Sequence, residues 1–174
     1  TCDSGMQATA LVFDVLLTPG SHAVMMRQIY NKTKSYLQWL ADRVGGTVTI
    51  VDDGDPAAVA AVIRPDTRFV FAETFTNPLV RAQDIPALVA LVASARATAP
   101  DVKLVIDSTI ATPWAFATPL LSQGVDVVVA SGTALSRVTG LLRLIVLGYV
   151  LGQTALSDAY LIANETPNIV YELL

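Results

Sequence analysis

Short runs of continuous apolar residues alternate along this chain with stretches whose apolar positions recur every three or four residues. The continuous runs read as strands: 22–26 (HAVMM), 47–51 (TVTIV), 68–73 (RFVFAE), 103–107 (KLVID), 125–130 (VDVVVA) and 142–150 (LRLIVLGYV). The helical spacing predicts helices over 6–17, 33–43, 55–63, 84–98 and 115–123. The fourth of these has Asp84 as its N-cap and Pro86 in its first turn, a good helix start. Strands that do not alternate with polar residues are buried on both faces. The pattern therefore predicts an α/β fold of three layers, with a mainly parallel sheet between two layers of helices. No internal repeat, low-complexity tract or linker interrupts it.

Composition narrows the field of functions. At 174 residues the chain suits one domain, and 53% of it is hydrophobic, so much surface must be buried in a core or against a partner. A net charge of −4 offers no basic face for nucleic acid or anionic lipid, and neither is expected as a partner. The most apolar stretch, 140–152, falls short of the ~20 residues of a spanning helix and contains Arg143, so no membrane span is expected. The amino end has no basic region followed by a long apolar core, which makes a cytoplasmic setting the expectation. Cys2 and His22 are single residues of their types, which argues against disulfides, Cys/His zinc sites and a Ser-His-Asp triad.

In open parallel sheets, ligands sit beyond the carboxyl ends of the strands, so the residues that follow each strand are the candidates. One strand ends at Glu73 and continues to Asn77, another ends at Asp107, and 125–130 runs into Ser131-Gly132-Thr133. Ser4, Gly5 and Met6 start a helix, where free N–H groups favour an anion. Each also has a plain structural reading. Asp107 suits an ordinary turn, Gly5 a helix start, Tyr30 an amphipathic boundary, and Glu73 and Asn77 a strand end and an Asn-Pro turn. Together, hydroxyls and a helix start for a phosphate, a carboxylate for a ring nitrogen and an aromatic to cover a ring describe a pyridoxal 5′-phosphate (PLP) pocket. A dinucleotide domain fits poorly, because no G-x-G-x-x-G follows the first strand.

The blocks "SGMQAT", "PGSHAV", "IYNKT", "ETFTNP", "VIDSTIATPW" with "PL" shortly after, "GVDVVVASGT" and "LGYVLG" stand in the order found in the Cys/Met-metabolism PLP enzymes. Over residues 4 to about 152 the chain resembles the large cofactor-binding domain of that family, which includes cystathionine γ-synthase, cystathionine γ-lyase and methionine γ-lyase. The resemblance implies a PLP-dependent transferase-like (fold type I) domain over 1–152, its last strand antiparallel. Residues 153–174 are then a helical extension or the start of a small domain. It implies a phosphate cradle from the Gly5 and Met6 N–H groups and the Ser131 and Thr133 hydroxyls. It also implies that Tyr30 stacks on the ring, that Asp107 pairs with the ring nitrogen, and that Asn77 lies near the phenolic oxygen with Glu73 beside it.

One departure is chemical. The family pattern Ser-x-Thr-Lys supplies a Schiff-base lysine, and this chain has Ala134 in that place. A methyl group neither forms that link nor carries a proton, so no catalytic residue is assigned. Nor do the remaining lysines replace it. Lys103 opens the strand that closes at Asp107, roughly 13 Å from the cofactor end at ~3.3 Å per residue, and Lys32 and Lys34 suit a solvated helix start. No counterpart of the family's amino-terminal arm or carboxy-terminal domain is expected. The resemblance thus implies either a transsulfuration-type PLP domain of impaired catalysis, or a non-catalytic structural or regulatory relative. It also implies a homo-oligomer or a complementary chain of the same family as partner.

Overall fold

The computed structural model describes residues 2, 4–52, 55–111 and 115–130. Within them lies a parallel five-stranded sheet of order β2-β1-β3-β4-β5. The strands are β1 (His22–Met26), β2 (Thr47–Val51), β3 (Thr67–Glu73), β4 (Lys103–Asp107) and β5 (Val127–Val129). Four α-helices alternate with them: α1 (Gly5–Leu16), α2 (Asn31–Val44), α3 (Pro56–Val62) and α4 (Ile85–Ala95). α1 packs with α2, and α3 packs with α4. With the right-handed crossovers that parallel strands require, this puts one helix pair on each face.

The strand order reverses between β1 and β3. From β1 the chain moves outward to β2, and from β3 it moves the other way through β4 to β5. Such a switch point opens a crevice beyond the strand ends. The core beneath it follows from the sequence. All five residues of β1 are buried, as expected of a central strand. Phe13 of α1 is fully buried, stacked on Phe69 at 5.3 Å and edge-on to Phe71 at 5.0 Å. Because side chains alternate along a strand, Phe69, Phe71 and Glu73 share the face that α1 covers.

Local chemistry sets the boundaries. The Ser4 side chain accepts the Gln7 N–H at 3.1 Å and starts α1, and Asp84 accepts the Ala87 N–H at 3.0 Å and starts α4. α2 stops at Gly45, whose φ of 71° is a left-handed cap that glycine adopts without strain. Two expectations are corrected. Over 115–123 the described residues form no α-helix but include a 3-10 turn, Leu120–Gln123, because Pro119 cannot sit inside a helix and Gly124 ends the turn at a φ of 104°. The fifth strand is shorter than 125–130. Asp126 turns its carboxylate to the Leu104 N–H and to Arg96, each at 2.8 Å, and so anchors the strand start instead of extending it. The anticipated strand at 142–150 and the extension at 153–174 lie outside the described residues.

His22 occupies the opposite edge of the sheet from the strand ends. It is fully buried, with Nδ1 2.8 Å from Thr67 Oγ1 and Nε2 2.9 Å from Thr49 Oγ1, so it pins β1 to both neighbours. Burial, followed by the nearby Arg64 charge, lowers its pKa from 6.5 to about 4. Protonation is therefore harder in the folded chain than in the unfolded one. Stability should be complete above about pH 6.5 and fall between there and about pH 4, with a total loss of about 3 kcal/mol. Urea unfolding across that range checks this, and His22→Gln should flatten the profile.

Candidate active site

The candidate residues converge at the finishing edge of the sheet, on the α1 side. Glu73 and Asp107 are the last residues of adjacent strands and pair in register, so their side chains share a face. The Asp107 backbone is fixed from both sides: its carbonyl accepts the Thr74 N–H at 2.9 Å, and the next N–H, of Ser108, donates to Val129 at 2.7 Å. Asp107 Oδ1 accepts the Thr109 N–H at 2.8 Å. That is the turn its plain structural reading expects. A carboxylate with one such bond keeps lone pairs for a second partner. Burial raises the Asp107 pKa, while the Thr109 hydroxyl and N–H pull the other way.

α1 brings a helix N-terminus to the same place. Its carboxyl end precedes β1 by a short turn and so lies at the starting edge of the sheet, which sends its amino end toward the finishing edge. α2 begins immediately beyond β1, and the Thr33 hydroxyl lies 3.4 Å from Met6 Sδ. The first turns of α1 and α2 therefore adjoin. The Gly5 and Met6 N–H groups stand at the positive end of α1, where helix geometry provides no acceptor of its own. Tyr30 is the residue before α2, and 41% of its surface is exposed. Its N–H donates to Glu73 Oε1 at 2.7 Å. The Asn77 N–H donates to the Gln28 carbonyl at 3.1 Å, which ties the loop after β3 to the loop after β1.

Five sequence candidates, Gly5, Met6, Tyr30, Glu73 and Asp107, thus meet at one end of one face. Asn77 joins them through its loop. Ser131, Thr133 and Ala134 lie outside the described residues, although β5 ends at Val129 directly beside Asp107. Lys103 pairs with Phe69 at the far end of β4, away from the site. Sequence reasoning missed Gln28 and took Thr109 only as part of the turn after Asp107. The Asp107-x-Thr109 spacing is a legible signal of a side-chain-to-backbone turn, whereas the Gln28 carbonyl carries no sequence signal at all.

This set suits PLP: a half-buried carboxylate for the ring nitrogen, a helix N-terminus for the phosphate and an exposed aromatic face for the ring. Comparison with known proteins agrees. The model of the Cys/Met metabolism PLP-dependent enzyme family matches residues 1–152.

The chain belongs to that family.

It is 31% identical over 158 residues to the L-methionine gamma-lyase of Treponema denticola, a match covering 91% of this chain and 37% of that protein. It is 40% identical over 131 residues to the O-acetyl-L-homoserine sulfhydrylase of Corynebacterium glutamicum, covering 75% and 28%. Among solved structures, metB from Corynebacterium glutamicum superposes with a TM-score of 0.65 at 33% identity, covering 74% of this chain and 31% of that one. A putative O-acetylhomoserine (thiol)-lyase from Campylobacter jejuni, which contains N′-pyridoxyl-lysine-5′-monophosphate, gives 0.63 at 26% identity, covering 74% and 30%. The α/β fold with its parallel sheet is therefore that of fold type I PLP enzymes. The chain spans about a third of the length of the relatives it matches. Among the described residues no helix is long and apolar enough to cross a membrane.

Proposed function

We propose that this chain is the PLP-binding large domain of a transsulfuration-type enzyme, acting on Cys/Met-type amino acids, in which the cofactor is held without a covalent anchor. The observation that carries this reading is Ala134 in the Ser-x-Thr-Lys pattern, set against a site that keeps its other PLP-type residues. Gly5 and Met6 N–H groups with the Ser131 and Thr133 hydroxyls would hold the phosphate, Tyr30 would cover the ring, Asp107 would pair with the ring nitrogen, and Asn77 would lie near the phenolic oxygen. Bound PLP supplies an electron sink for a substrate carbanion. Asp107 serves that chemistry by keeping the ring nitrogen protonated. None of the assigned residues takes over the lysine's proton transfer.

Turnover should be low in consequence. Loss of a positioned general base costs about 10²- to 10⁴-fold, and loss of covalent preorganisation adds to it. Thiol release from cysteine, homocysteine or cystathionine, measured with saturating PLP, should stay near background. A rate typical of a working lyase would overturn the reading.

Ala134 also favours a second reading, a non-catalytic structural or regulatory subunit derived from the family. The two are separated by PLP itself: the first requires saturable binding and the second does not. In either case we propose a cytoplasmic protein that assembles with itself or with a complementary chain of the same family. The 53% hydrophobic composition supports this. Light scattering at micromolar concentration should give a mass above that of one chain; a monodisperse monomer would contradict the assembly.

A further inference from the structure

Glu73 ends β3 with only 5% of its surface exposed. A carboxylate in that position is costly unless hydrogen bonds compensate it. Its Oε1 accepts the N–H of Tyr30 at 2.7 Å, across the switch point between β3 and β1. Tyr30 has no side-chain cap of its own to offer α2. Glu73 thus supplies an acceptor oxygen at the start of α2, where the helix dipole favours one. The bond fixes the backbone of residue 30, from which the exposed Tyr30 ring departs. Glu73 is also the immediate neighbour of Asp107, a second carboxylate. A phosphate-bearing ligand is anionic and needs one carboxylate opposite its ring nitrogen. A second one facing it would repel. The engagement of Glu73 with backbone gives it other work.

We propose that Glu73 is a positioning residue that sets the Tyr30 ring platform through the Tyr30 N–H and does not itself contact the cofactor. This rests on the proposed reading of the site as a PLP site.

The test is a double-mutant cycle of Glu73→Leu and Tyr30→Ala, with dissociation constants for PLP measured by absorbance titration. If Glu73 acts through Tyr30, Glu73→Leu should weaken PLP about tenfold in the wild-type background, as expected for one charge-assisted hydrogen bond, and less than about twofold once Tyr30 is alanine. An equal loss in both backgrounds, or no loss in either, overturns the proposal. Glu73→Gln keeps an acceptor for the Tyr30 N–H and carries the test if the leucine variant does not fold. Affinity within about twofold of wild type supports the positioning role, and a tenfold loss that persists beside Tyr30→Ala contradicts it. Hydrogen exchange at the Tyr30 amide separates this idea from the reading beneath it. Should the wild-type chain bind no PLP, the site reading fails. Faster Tyr30 exchange in Glu73→Leu than in Glu73→Gln would then still support the control of residue 30 by Glu73, and equal exchange would refute it.

Discussion

Ala134→Lys should convert a reversible cofactor into a covalent one. On the proposed reading, PLP held by the phosphate cradle, the Tyr30 ring and Asp107 would find no amine at position 134, where the residue after Thr133 carries only a methyl group. On that reading an amine placed there would react within the bound complex. Well-oriented intramolecular reactions reach effective concentrations of about 10⁵ M or more, far above any free lysine. After incubation with PLP and reduction with borohydride, the variant should gain the mass of one reduced cofactor, mapped by peptide analysis to position 134. The wild-type chain should gain none. Labelling of the variant at Lys32 or Lys34 instead would mean that the segment after β5 does not face the site. Covalent retention is the readout, because turnover needs more of the enzyme than this lysine.

The second large effect is at Asp107, where affinity and stability should move in opposite directions. Asp107→Asn keeps an oxygen for the Thr109 N–H but removes the charge that, on the proposed reading, would pair with a protonated ring nitrogen. Charge-assisted hydrogen bonds contribute about 1.5 to 3 kcal/mol, so PLP should bind about ten- to a hundredfold more weakly. Without cofactor the ionised carboxylate is a burden. Burial raises the Asp107 pKa above its ordinary 3.8, so the folded chain holds its proton more tightly than the unfolded one. The contribution of Asp107 is then fully favourable below about pH 3.8 and is lost as pH rises through the raised value. At neutral pH, Asp107→Asn should therefore raise the urea midpoint of the cofactor-free chain. A purely structural aspartate would show the reverse, with a lower midpoint and no effect on PLP.

Much of this was legible in the sequence because burial and period leave separate marks. β1, β2 and β4 begin and end where the sequence places them; β1 is buried throughout and β4 through its centre, while β2 is only partly buried. The failures have local causes. Residues 115–123 have apolar spacing, but Pro119 outweighs it. Asp126 reads as part of a strand, yet its side chain is spent on Arg96 and Leu104. The site divides the same way. Asp107, Glu73 and Asn77 are legible because strand ends in such a sheet are where ligands bind, and Tyr30 as an aromatic that could cover a ring, in the family-like block IYNKT. The bond from Tyr30 to Glu73 is not legible, since it joins backbone to side chain across 43 positions of sequence. Nor is Gln28, which acts through its carbonyl and would do so as almost any residue.

A PLP site without its covalent anchor can be probed by titrating the unmodified chain with PLP and passing the complex through a desalting column. Saturable binding at one site per chain is expected, followed by loss of the cofactor on the column and an unchanged protein mass after borohydride. Cofactor that survives the column as a borohydride-stable adduct, or a titration with no saturable component, would contradict that reading.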